Sequence, residues 1–167
     1  MRFPTVTGSN LNQEQFTLPK DLEGELNLVF IAFTEWQQYV VDSWMPKARQ
    51  LKQQFDGLHY YEIPTIYPMN LFQRWWLDNI MRAGITDEAV RAITITIYVD
   101  IPDFLAALDL PNNDTAYALL LDREGEVIWR AAGLYDEDKG DALRQAIVDA
   151  RLPQPEDDAR FNTYRLN

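Results

Sequence analysis

An α/β sandwich on a mixed sheet is the fold class this sequence predicts, and three observations carry it. Strand-like and helix-like runs alternate from Leu26 to Ala150. The run Leu26–Phe33 (LNLVFIAF) is almost wholly apolar between polar flanks, as a strand covered on both faces reads. After the alternation come two strands joined by a tight turn and then a helix, so a βαβ unit is followed by a ββα unit. A chain of 167 residues is long enough for one substantial core, assigned to residues 1–151, with 152–167 as a tail.

The elements follow in order. Residues 1–25 alternate briefly and are broken by Pro4, Gly8, Pro19 and Gly24, and FTLPKDLEG reads as a small hairpin or loop before the first long strand. A helix is expected from about Gln38 to Phe55, because Val41, Trp44, Ala48, Leu51 and Phe55 form one apolar stripe. Pro46 lies inside it and is expected to kink it, and Gly57 suits a left-handed cap. Leu58–Tyr67 is the second strand, with Pro64 demoting its later part to an edge or loop.

Phe72, Trp75, Trp76, Ile80 and Ala83 fit a further helix ending at Gly84. A short helical turn follows, with Thr86 as its N-cap and Asp87 and Glu88 in its first turn. Ile93–Val99 is a β-branched strand. Asp100 caps a short helix with Pro102 near its start. Tyr117–Leu121 and Glu126–Ala131 are strands joined by the turn DREG. Asp136–Ala150 is the closing helix, and RLPQPEDDARFNTYRLN is a Pro-rich, charged tail.

Composition excludes several functions. Hydrophobic content of 47% and charged content of 25% belong to a globular chain. A formal net charge of −11 repels phosphate backbones and anionic lipids, against nucleic-acid or membrane-surface binding, and leaves a basic protein partner compatible. With no cysteine there is no disulfide, thiol nucleophile or thiolate metal site. MRFPTVTGSN lacks the pattern of a signal peptide, and no stretch reaches the length of a membrane span. The expectation is a soluble, cytoplasmic protein.

The order of elements and the proline in the first long helix resemble the thioredoxin fold, a three-layer α/β/α sandwich with a central mixed sheet, here with an N-terminal hairpin and a helical insertion. Redox-active members carry F-x-x-x-W-C-x-x-C-x-x-x-x-P at the corner after the first long strand. Laying Phe33 and Pro46 of FTEWQQYVVDSWMP on that pattern needs no gap. The two cysteine positions then fall on Gln38 and Val41, and Gln37 takes the place of the usual Trp. The position of the redox members' cis-proline falls on Ala116, after Thr115, where an ordinary trans peptide is expected. Both halves of the redox site are vacated together.

Within that fold the chain resembles the mitochondrial ATP synthase assembly-factor family, which helps build the proton-channel subunit into the membrane sector. The likeness rests on Phe3-Pro4, Leu18-Pro19 with Gly24, and Ser43-Trp44 with Pro46. It rests further on Tyr117, Leu121-Asp122, Gly125, Trp129 and Gly133 in YALLLDREGEVIWRAAG. It covers about residues 3–147. The family usually has Arg before the hairpin Trp, where this chain has Ile128 with Arg130 beyond it, and the expectation is a relative without a mitochondrial presequence.

The resemblance implies a redox-inactive protein acting by contact with a protein partner, as an assembly factor or chaperone for a membrane complex such as ATP synthase. The residues expected to meet that partner are Trp36, Gln37, Gln38, Tyr39 and Thr115 at the old active-site rim, with Trp75 and Trp76. For the tryptophans, core filling is the competing reading, and adjacent Trp75 and Trp76 point about 100° apart on a helix.

No catalytic residue, cofactor or metal is expected. His59 is the sole histidine and reads as a strand residue. Ser9 and Ser43 lack a nucleophile-elbow context. Asp42 reads as a helix-start acid, as do Asp136, Glu137 and Asp138, while Asp122 reads as a turn residue. Two alternatives stay open. One is an enzyme of non-thiol chemistry in the degenerate cleft, lined by Glu35, Asp42 and Thr115. The other is a homodimer through the aromatic helix around Trp75.

Overall fold

The β-branched and apolar runs become the strands of one sheet in the computed structural model, which describes residues 1–67 and 87–151. The strands are β1 (Val6–Asn10), β2 (Gln15–Leu18), β3 (Leu26–Ala32), β4 (Leu58–Ile66), β5 (Ile95–Tyr98), β6 (Tyr117–Asp122) and β7 (Val127–Ala132). The helices are α1 (Gln38–Gln54), α2 (Glu88–Ile93), α3 (Ile101–Ala107) and α4 (Glu137–Arg151), with a 3-10 turn at Glu35–Gln37. The sheet order is β2-β1-β5-β4-β3-β6-β7. β3, β4 and β5 are parallel, and every other pairing is antiparallel, so the sheet is mixed.

All seven residues of β3 are buried, because helices cover both faces of the sheet. Leu28 and Phe30 point to one face, where Val41, Trp44, Ala48 and Leu51 of α1 meet Leu143 and Ile147 of α4. Val29 and Ile31 point to the other, with Ile95 and Ile97 of β5, Phe104 of α3, Leu108, and Phe3 and Leu18 from the N-terminal segment. That makes three layers. Each such aliphatic side chain contributes roughly 1.5–3 kcal/mol by leaving water.

The N-terminal hairpin is real but lies earlier than expected, with only FTL of FTLPKDLEG in a strand. Its turn is organised by Asn10, whose Oδ1 accepts from Asn12 N at 3.0 Å and Glu14 N at 2.9 Å. Gly8 is required by β5, since a Cβ there would lie 2.4 Å from the Thr96 carbonyl oxygen. The second hairpin turns as predicted. Asp122 Oδ1 accepts from Glu124 N and Glu126 N, and Gly125 sits at φ +85°.

Three expectations need correction, and two more lie outside the described residues. Pro64 does not demote β4, which lies inside the sheet between β3 and β5. Its pairing with β3 ends at Ala32–Pro64, and that with β5 starts at Thr65–Ile97, so the missing N–H falls where one ladder hands over to the next. The cap of α2 is Asp87, whose side chain accepts from Ala89 N and Val90 N, while Thr86 lies outside the described residues. Ile93 ends α2 instead of opening β5. The helix expected around Phe72–Ala83, with Trp75 and Trp76, lies outside the described residues, as does the tail.

Candidate functional site

At the C-terminal end of β3 the chain turns through the 3-10 turn into α1, and this corner holds Gln38 and Val41, the positions that the sequence resemblance assigns to the redox pair. The turn has Gln37 where the pattern would have Trp, and Gln37 is 0% exposed. Its Oε1 accepts from Phe33 N at 2.8 Å, and its Nε2 donates to Asn113 O at 2.9 Å. Gln37 is therefore a strut between the end of β3 and the loop before β6, and no part of an exposed rim. The expectation that it meets a partner fails for that reason: a side chain with both ends bonded inside is unavailable.

Its neighbours behave differently. Trp36 is 62% exposed and Tyr39 is 54% exposed, with the two rings stacked at 6.2 Å and an interplanar angle of 21°. Gln38 is exposed at the first vacated position. Val41, at the second, is buried against the α1 face of the core. Ala116 is buried at the start of β6, and its carbonyl accepts from Gly133 N at 3.0 Å; Thr115 beside it is half-buried. Leu18–Pro19 is the one cis peptide among the described residues, so the bond before Ala116 is trans.

Ser43 and Trp44, two residues that carry the family resemblance, fasten this corner to the loop after β7 on the same face of the sheet. Ser43 Oγ donates to Val40 O at 2.6 Å and accepts from Tyr135 N at 3.0 Å. Trp44 Nε1 donates to Gly133 O at 3.0 Å. The loop after β7 is thus bonded to α1 by two adjacent side chains.

Sequence reasoning missed Glu62. It sits on β4 opposite Phe30 and faces α1, with 8% exposure. Gln38 Nε2 donates to Asp42 Oδ1 at 3.0 Å and to Glu62 Oε1 at 3.4 Å, and Thr94 Oγ1 lies 3.5 Å from Glu62 Oε2. The carboxylate beside Asp42 is therefore Glu62 and not Glu35, which is an exposed residue of the 3-10 turn. The available signal was period-two alternation in LHYYEIPTI, which puts Glu62 on the same face as Leu58 and Tyr60.

Burial is the main cause that raises the Glu62 carboxyl above its ordinary 4.5; the Asp42 charge adds to it, and hydrogen bonds from Gln38 and Thr94 with the charge of Arg49 oppose it. A raised value in the fold means the native state holds more protons than the unfolded chain. Stability from this group is present at low pH and falls as pH rises from about 4.5 through the higher folded value. Glu62→Gln is expected to remove that slope and to raise the neutral-pH melting temperature. Denaturant titrations of both proteins from acid to neutral pH check it, and parallel pH profiles overturn it.

Asp42 lies past the first turn of α1, which holds no acidic residue, so it is not the helix-start acid expected. His59 is half-buried in β4, and Asp136 Oδ1 accepts from Lys139 N at 2.8 Å at the start of α4. Among the described residues no three His, Cys, Asp or Glu side chains are grouped to hold a metal ion. Nor is any helix there long and apolar enough to cross a membrane.

Solved structures share this architecture. BsSco, a member of the Sco family of cytochrome c oxidase assembly proteins, superimposes with a TM-score of 0.60 at 15% identity over 91% of this chain and 95% of that one. A thiol:disulfide interchange protein from Bacteroides sp. gives a TM-score of 0.55 at 17% identity over 95% and 93%. The exposed lipoprotein thioredoxin of Streptococcus pneumoniae gives 0.52 at 12% over 87% and 99%. The fold is thioredoxin-like. No curated protein matches the chain. The model of the family described as ATP10 protein matches residues 1–148.

Proposed function

This chain belongs to the ATP10 protein family, and from that premise we propose that it is a redox-inactive, thioredoxin-like assembly factor acting by direct contact with a protein. The membrane complex it serves is the ATP synthase, and its partner is a component of that complex. The working unit is residues 1–151.

The observation that carries the contact reading is the Trp36–Tyr39 stack. Two large rings more than half exposed and held against each other at the corner of a fold are poor core and good anchor. Gln38 and Val41 stand where thiols would have to be, which supports the redox-inactive part of the reading. Exposed Gln38 and half-buried Thr115 are assigned to the same contact face.

Because both rings are solvated, replacing them separates contact from folding. Trp36→Ala/Tyr39→Ala is expected to change stability by no more than about 0.5 kcal/mol. In cells whose only copy carries the double substitution, assembled ATP synthase on native gels is expected to fall severalfold at an unchanged level of the chain. Normal assembly in those cells overturns the contact face. Disulfide reduction by the purified chain above a no-protein control overturns the redox-inactive reading.

A further inference from the structure

Beside the aromatic stack lies a polar arrangement with an unusual balance of charge. Asp42 is three residues from Tyr39 and four from Gln38, so the three share one face of α1. The Gln38 amide nitrogen is shared between the carboxylates of Asp42 and Glu62, at 3.0 and 3.4 Å. A two-hydrogen nitrogen donor therefore already fits the gap between the two acids. That donor is neutral, and among the described residues no salt bridge reaches either carboxylate, the Arg49 charge acting on Glu62 only from beyond ion-pair distance. Glu35, in the turn that carries Trp36, adds a further acid at the rim.

We infer that this face takes a partner segment presenting a basic side chain next to an apolar one. The Lys ammonium or Arg guanidinium replaces the Gln38 amide between Asp42 and Glu62. The neighbouring apolar side chain and the stem of the basic residue lie on Trp36 and Tyr39. A cationic nitrogen supplies the same N–H geometry as the amide and adds the missing charge, which makes each hydrogen bond about twice as strong. The exposed rings favour it further, since the negative face of an aromatic ring attracts a cation placed over it. The net charge of −11 draws a basic segment in and repels an acidic one. This inference rests on the contact reading above and specifies its partner.

Selection of random dodecapeptides on the immobilised full chain tests it, with Asp42→Asn/Glu62→Gln and Trp36→Ala/Tyr39→Ala as parallel baits, each first shown to be folded by circular dichroism. On the wild type, Lys and Arg are expected to be enriched about threefold over the starting library, next to an apolar residue. The Asn/Gln bait is expected to lose the basic enrichment and keep the apolar one. Synthetic copies of the selected peptides are expected to bind that variant roughly tenfold more weakly than the wild type, and the difference to shrink in high salt.

Apolar selection without a basic excess, or a basic excess that survives on the Asn/Gln bait, overturns this inference and leaves the contact face standing. Selection that does not depend on Trp36 and Tyr39, or that recovers nothing above an empty support, overturns the face and the inference together.

Discussion

Trp44→Ala is expected to cost about 3–5 kcal/mol, the range for deleting a large buried aromatic, and so to remove much of the stability of an ordinary domain. Trp44 is 2% exposed and sits at the centre of a ring cluster, with Tyr135 at 5.2 Å and Phe30 and Trp129 each at 6.0 Å. Its edge-on contacts with Tyr135 and Trp129 add about 0.5–1.5 kcal/mol per pair beyond the area buried. The indole also bonds Gly133 O, so truncation frees the loop after β7 as well as opening a cavity. Equilibrium unfolding in urea measures the total. Trp44→Phe divides it: the ring remains and the hydrogen bond goes, at a cost near 1 kcal/mol plus the smaller volume. A loss below about 1 kcal/mol for the alanine variant would show that the cluster is not what joins α1 to this end of the sheet.

That role explains why the sequence was informative about the framework. Patterns with a period of their own could be read directly. The apolar run of β3, the stripe Val41–Trp44–Ala48–Leu51 and the turn chemistry of Asp122 and Gly125 all depend on neighbours close in the chain. Ser43-Trp44 with Pro46 was visible as a motif, but its partners Gly133 and Tyr135 lie about ninety residues on, and only the fold brings them together. Pro64 was misread because local propensity says nothing of where a strand changes partner.

The site divided along the same line. Trp36 and Tyr39, for which the sequence left core filling and a contact role both open, are exposed and stacked on each other. Gln37 and Glu62 were respectively misplaced and missed. Each is a polar residue buried by an interaction with a remote element, Asn113 for one and α1 for the other. A polar letter in the sequence reads as surface unless its partner is known.

Gln37 is also where the corner can be tested most sharply. Gln37→Leu keeps the approximate volume and removes both hydrogen-bonding ends. The Phe33 N–H then loses its acceptor at the end of a buried strand, and Asn113 O must turn to water. A loss of about 1–3 kcal/mol is expected, chiefly from the stranded donor. Gln37→Glu separates the two ends. A carboxylate still accepts from Phe33 N but faces the Asn113 carbonyl, while the protonated acid can donate to it as the amide does. The native state of that variant prefers the proton, so its stability is expected to be highest in acid and to fall as pH rises through the raised folded value. Denaturant unfolding of the wild type and both variants across that range decides the matter. If Leu is tolerated without loss, or Glu shows no such slope, Gln37 is a passive filler. If both behave as derived, the rim that carries Trp36 owes its place to a neutral amide spanning from β3 to the Asn113 loop.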